Sequence, residues 1–159
     1  MRLEAQLDAC IKSTLLRSVL QEELDNYIAK GIVRRMEHTE ASRTSVWTPL
    51  IGRWKPSGAC RVITDLRHVN DHMETPRSKA TTWHTVLQLL HDQRFKYAAT
   101  LDVADAYSHL GLSRQARRWI RAKGPDGTPV EWLAMPFGIQ CGAYWCARLF
   151  KPWIYGGPK

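Results

Sequence analysis

The sequence predicts an α+β fold, with strands paired in hairpins and helices between them. Three observations carry the prediction. Apolar residues recur at threes and fours near the start of the chain. Two pairs of short apolar runs are each broken by a turn rich in Pro and Gly. A second helical spacing falls between those pairs.

Residues 3 to 30 read as helix, from Leu3, Leu7, Cys10, Ile11, Leu15, Val19, Leu24 and Ile28, and Gly31 is placed to cap it. Residues 36 to 46 are polar without a period and read as loop. The runs Trp47 to Trp54 and Cys60 to Thr64, separated by Lys55-Pro56-Ser57-Gly58, predict a hairpin. Residues 83 to 93 set Trp83, Val86, Leu87 and Leu90 along one side of a helix, and Ala98 to Val103 predicts a strand. A second hairpin is predicted over 117 to 134, turning at Gly124-Pro125-Asp126-Gly127. Helix resumes from about Gln140 to Phe150, and KPWIYGGPK reads as a tail without a folding role. Trp83, Trp119 and Trp132 read as core, and Cys141, Tyr144 and Trp145 as helix faces turned to the sheet. Phe137 stays open between core packing and a functional role.

The 159 residues are 44% apolar and 24% charged, which suits one globular domain or two small lobes and excludes collagen, coiled coil and wholesale disorder. Lys and Arg number 23 against 15 Asp and Glu, a net charge of +8 that admits a polyanionic partner without requiring one. No run of about 18 apolar residues occurs, so no membrane span is predicted. Acidic residues near the start argue against a secretory signal. The expected location is therefore intracellular, with nothing to choose between cytoplasm and nucleus. Cys10, Cys60, Cys141 and Cys146 lack the paired spacing of a zinc site and read as reduced thiols. No G-x-x-x-x-G-K loop and no G-x-S-x-G elbow is present.

Chemistry is densest in Tyr97-Ala-Ala-Thr-Leu-Asp102-Val-Ala-Asp105-Ala-Tyr107. An apolar run ends at Asp102, and Asp105 follows three residues later. Carboxylate oxygens are the ligands Mg²⁺ selects. Asp is also a common helix cap, and spacing alone leaves both readings of Asp102 open. Arg114, Arg117, Arg118, Arg121 and Lys123 crowd into ten residues. On a strand Arg117, Trp119, Arg121 and Lys123 share a face, which is either a nucleic-acid contact or a solvated surface.

LDVADAY resembles the first catalytic motif of reverse transcriptases, the RNA-directed DNA polymerases of retroelements. Three further blocks resemble the family in the same order. ELDNYIAKGIVRR (23 to 35) is similar to its lead-in helix, and WTPLIGRWKPSGACRVITDLRHVN (47 to 70) to its fingers hairpin and the motif after it. EWLAMPFGIQCGAYW (131 to 145) is similar to its second palm motif. The MPFG wording is nearest to long-terminal-repeat and tyrosine-recombinase retroelements. The resemblance spans about residues 20 to 150. It implies the fingers and front half of the palm of a right-hand polymerase: a helical extension over 1–19, fingers over 20–96, partial palm over 97–150 and a tail over 151–159.

Residue by residue, the resemblance makes Asp102 the metal aspartate and Val103 the residue whose carbonyl also reaches a metal. Asp105 and Ala106 would offer backbone amides to the triphosphate, and Tyr107 would be the steric gate that crowds a ribose 2′-hydroxyl. Arg61 would grip the triphosphate and stack on the base, as a planar forked guanidinium can, with Lys55 as its neighbour. Phe137, Gly138 and Gln140 would border the nucleotide and template base. Asp65 and Arg67 match a structural brace. The implied partners are an RNA or DNA template-primer and a deoxynucleoside triphosphate, and the implied cofactor is a pair of Mg²⁺ or Mn²⁺ ions.

The family's third palm motif, two adjacent aspartates after an aromatic residue, has no counterpart: no Asp-Asp pair occurs in the chain. The thumb is expected to be absent as well. One carboxylate and one carbonyl cannot hold two mutually repelling divalent ions. The expectation is an N-terminal fragment of a reverse transcriptase, inactive alone, with its strand before Asp102 uncovered and prone to association. The alternatives are a basic fragment that binds nucleic acid or nucleotide without catalysis, and a decayed sequence.

Overall fold

The computed structural model describes residues 2–44, 46–74, 76–77, 82–92, 97 and 99–155, with side chains described from Ser13 to Pro152 of that set. Helix α1 (Arg2–Ala29) opens the chain. The side chains of its predicted apolar positions Leu3 to Ile11 lie outside the described residues. The helix ends as predicted at Gly31, whose φ of +70° only glycine adopts without strain. The Gly31 N–H donates to the Ile28 carbonyl and the Ile32 N–H to that of Tyr27, a Schellman cap.

Strand β1 (Val33–Arg35) comes next, and it pairs antiparallel with β5 (Pro129–Trp132). On its other edge β5 pairs with β4 (Arg121–Lys123). The register puts Val33, Trp132, Val130 and Ala122 on one face and Arg34, Glu131 and Arg121 on the other. Helix α1 covers the apolar face. Tyr27 meets Trp132 at 5.7 Å between ring centroids, and Arg35 pairs with Asp25 at 3.0 Å. Leu20 and Leu24 enter the core beside Val33 and Val130. Burying Leu24 contributes about 2 kcal/mol. Helix α1 runs unbroken through residues 19–20, and this sheet takes one strand from 20–96 and two from 97–150.

The first predicted hairpin forms from β2 (Leu50–Trp54) and β3 (Cys60–Thr64), with Trp54 opposite Cys60. A Cβ on Gly52 would lie 3.0 Å from Leu16 Cδ1, so glycine there lets α1 settle onto the hairpin. The second predicted turn holds through Asp126. Its carboxylate accepts from the Thr128 N–H and hydroxyl at 2.8 and 2.7 Å.

Elsewhere the structure departs from the sequence expectation. Residues 36–46 contain a helix, α2 (His38–Ser42), because Glu40 folds back to accept from the Glu37 N–H at 3.2 Å. Arg117 lies on α5 (Arg114–Arg117), capped by Ser113, and Trp119 in the turn after it. Neither shares a strand face with Arg121 and Lys123. Residues 99–103 form no strand and pair with none of the described strands; Ala98 lies outside the described residues. The last helix, α6 (Gly142–Tyr155), continues through Pro152 into the supposed tail. That proline removes one backbone donor without ending the helix. Residues 156–159 lie outside the described residues.

Trp132 is core as expected, whereas Trp83, Trp119 and Trp145 are exposed. Trp83 opens α4 (Trp83–His91), which starts at the Thr82 cap and buries none of its residues. Gln93 lies outside the described residues. Helical spacing marks an apolar face but not what covers it. Asp65 and Arg67 form the expected brace, at 2.9 Å through Arg67 Nε, and lead into α3 (Arg67–Asn70).

Candidate functional site

Four segments distant in sequence meet around one cleft of about 390 Å³. Helix α1 contributes Glu23 and Tyr27, and Lys30 in the turn just after it continues their spacing. The β2–β3 hairpin contributes Lys55, Arg61 and Thr64. A 3-10 turn (Ala106–His109) brings Ala106 and Tyr107, with Asp105 before it. Strand β5 and the loop after it bring Trp132 and Phe137.

The turn is built on Asp105, the one non-glycine residue with positive φ among those described, at φ +48° and ψ +41°. Asp tolerates this left-handed conformation better than most residues, at a cost of about 1 kcal/mol. Its carbonyl accepts from the Ser108 N–H at 2.8 Å, and its carboxylate lies 3.8 Å from Lys30 Nζ. Tyr107 is held from two sides. Phe137 meets its ring edge-on at 5.6 Å and 82°, and a Cβ on Gly142 would approach Tyr107 Cε1 to 2.7 Å.

The cleft carries three cations, Lys30, Lys55 and Arg61, against the carboxylates of Glu23 and Asp105. The Tyr27 phenol registers this mixture. Burial pushes its pKa up, Glu23 and Asp105 add to the rise, and Arg61 opposes them. A surplus of cations beside a turn suits an anionic ligand with an aromatic or sugar portion against Tyr107 and Phe137.

Of the residues singled out in the sequence, Lys55, Arg61, Asp105, Ala106, Tyr107 and Phe137 line this cleft. Gly138 and Gln140 do not line it. They form the loop beside Phe137, where Gly138 has φ +102° and Asn70 holds both residues. Asp102 and Val103 lie exposed on the segment leading into the turn, outside the cleft lining. The supposed basic face also disperses. Arg121 is tied to Glu131 with its side chain only 13% exposed, and Lys123 sits 5.1 Å over the Trp47 ring. Sequence reasoning passed over Glu23, Tyr27, Lys30 and Asn70. The helical spacing of the first three was the available signal; for Asn70 there was none.

Among the described residues the donors do not assemble a site for two divalent ions. Asp105 is turned to Lys30, and among the described residues no three His, Cys, Asp or Glu side chains cluster as metal ligands. Asp102 and the Val103 carbonyl would be the donors from this segment.

No family model matches the chain. Over 128 residues, 76% of its length, it is 28% identical to the Gag-Pol polyprotein of avian reticuloendotheliosis virus. Its fold matches a prototype foamy virus protease-reverse transcriptase with a TM-score of 0.66, at 19% identity over 87% of the chain. A foamy viral protease-reverse transcriptase solved in complex with dsDNA matches at 0.64, with 21% identity over 84%. The chain is similar in sequence to part of this Gag-Pol polyprotein and in fold to these protease-reverse transcriptases. It spans 10% of the Gag-Pol polyprotein and 18% and 26% of the two solved chains. Its α+β architecture is that of the reverse-transcriptase fingers and palm region.

Proposed function

We propose that the cleft is the incoming-nucleotide site of an RNA-directed DNA polymerase and takes a deoxynucleoside triphosphate. One observation carries this reading: six residues drawn from separate sequence blocks converge on a single cleft. Arg61 and Lys55 grip the triphosphate, and the backbone amides of Asp105 and Ala106 meet its oxygens. Tyr107, wedged between Phe137 and Gly142, crowds the sugar 2′ position. Phe137, Gly138 and Gln140 border the base. Asp102 and the Val103 carbonyl offer metal donors to a Mg²⁺ or Mn²⁺ site that needs further carboxylates. These 159 residues therefore bind nucleotide without polymerising it. The parent activity is template-directed DNA synthesis in a retroelement of the long-terminal-repeat or tyrosine-recombinase type. The dsDNA complexes of the foamy viral relatives support a template-primer partner.

Titration with dATP and ATP tests the reading. Saturable binding of dATP is expected, weakened at least about tenfold by Arg61→Ala, and Tyr107→Ala is expected to narrow the preference over ATP. Binding that ignores both substitutions would overturn it. A second reading, a nucleotide-binding module without catalysis, is favoured by the position of Asp102 outside the cleft. It predicts that Asp102→Ala leaves Mg²⁺-dependent dATP affinity unchanged, whereas the polymerase reading predicts a loss.

A further inference from the structure

On the sheet face turned away from α1, Glu131 is buried, with its side chain 4% exposed. Arg34 reaches it through Nε at 2.9 Å and Nη2 at 2.7 Å, and Arg121 through Nε at 2.9 Å and Nη2 at 2.7 Å. Arg34 also holds Glu40 through two bonds of 2.8 Å. Two guanidiniums and two carboxylates are thereby mutually satisfied. Three further arginines, Arg114, Arg117 and Arg118, line the same pocket of about 360 Å³. Among the described residues no carboxylate pairs with any of the three. Five guanidiniums against two committed carboxylates leave an excess of three positive charges. Arg117 is also oriented: its Nε donates to the Leu112 carbonyl at 2.8 Å, which fixes the guanidinium plane.

We propose that this pocket is a phosphate-binding site, separate from the cleft and independent of the reading given to it. Like charges crowded without counter-ions repel one another, so an anion that enters relieves them. Glu131 and Glu40 cannot do so, because their oxygens are already engaged. A phosphate group presents several acceptor oxygens to forked guanidiniums and can engage more than one at once. The source is either a phosphodiester backbone or a free phosphate.

The test uses the full chain carrying Arg61→Ala in both arms, so that the weakened cleft contributes equally to each. Binding of inorganic pyrophosphate and of a short single-stranded DNA is measured with and without R114Q/R118Q. Both arginines are exposed, and far-UV circular dichroism checks that the fold persists. The expected result is an affinity loss of at least about tenfold. For the DNA, the salt slope should fall by about 1.4, at about 0.7 for each single-strand phosphate that is no longer neutralised. Loss confined to DNA assigns the site to a phosphodiester strand, loss confined to pyrophosphate assigns it to free phosphates, and loss of both supports the shared chemistry. Unchanged affinity for both ligands would overturn the proposal.

Discussion

Asn70 clamps Gly138. Its Nδ2 donates to the Gly138 carbonyl at 2.9 Å, while its Oδ1 accepts from the Gln140 N–H at 2.9 Å. One side chain at the end of α3 thus fixes both backbone directions of a loop 68 residues away. That loop carries Phe137 against Tyr107, so the clamp reaches the cleft through one aromatic contact.

Asn70→Ala removes both bonds and is expected to destabilise the fold by about 1–3 kcal/mol. Asn70→Asp keeps the acceptor for Gln140 but sets a carboxylate oxygen against the Gly138 carbonyl, and should cost more. Urea denaturation gives the ranking, and dATP titration of the folded fraction should show weakened binding for both. Equal stability of all three chains would refute the clamp.

Gly142 and Tyr107 make a second testable contact. An alanine Cβ at 142 would meet Tyr107 Cε1 at 2.7 Å and Met135 Sδ at 3.3 Å, so the ring must shift. Overpacking of this kind costs about 1–3 kcal/mol, partly offset by alanine's better helix propensity. Gly142→Ala should alter the near-UV circular dichroism and relax dATP-over-ATP preference. In a Tyr107→Ala background the stability cost should vanish, and a double-mutant cycle measures that coupling.

The elements held by local chemistry were legible in the sequence. Gly31, the Lys55–Gly58 turn and the Gly124–Gly127 turn each state their geometry in the residue types present; the first hairpin formed in place, and the second formed about its turn but over 121–132 only. The cleft was legible only because four blocks resemble one family; nothing local says that Arg61 and Tyr107 meet. What could not be read depends on partners distant in sequence. The apolar run before Asp102 looks like a strand, but a strand needs a neighbouring edge. The short helix α2 is anchored by Arg34 and Glu37 holding Glu40, and Arg121 looks like a free surface cation until Glu131 is found beside it. Trp83 follows helical spacing faithfully and still lies in solvent.

Acid should weaken the fold through Glu40. The hydrogen bonds from Arg34, with the Glu37 backbone N–H, hold its carboxyl at about 2, below the ordinary 4.5. Asp65, beside Arg67, is likewise held at about 2 against an ordinary 3.8. The folded chain therefore binds these protons less readily than the unfolded chain. Their stabilisation is complete above about pH 4.5 and is lost as pH falls towards 2. Solvent screening keeps the Glu40 contribution to about 1 kcal/mol. Glu40→Gln should flatten the stability profile in that window and leave its shape above it unchanged, as followed by denaturant midpoints at several pH values.

The segment before the 3-10 turn should drive self-association. Tyr97 and Leu101 are 93% and 89% exposed, and Val103 is exposed beside them. Strand-forming residues without a paired edge leave both apolar side chains and backbone hydrogen-bonding groups open to a second molecule. Sedimentation velocity over a concentration series should show reversible growth beyond the monomer. Because the driving surface is apolar, added salt should strengthen or preserve the association, in contrast to charge-mediated contacts. Leu101→Lys introduces a charge on the open segment, where it meets no packed neighbour, and should shift the distribution to monomer without lowering the denaturation midpoint. A compact monomer at all concentrations in the unsubstituted chain would exclude this segment as an association site.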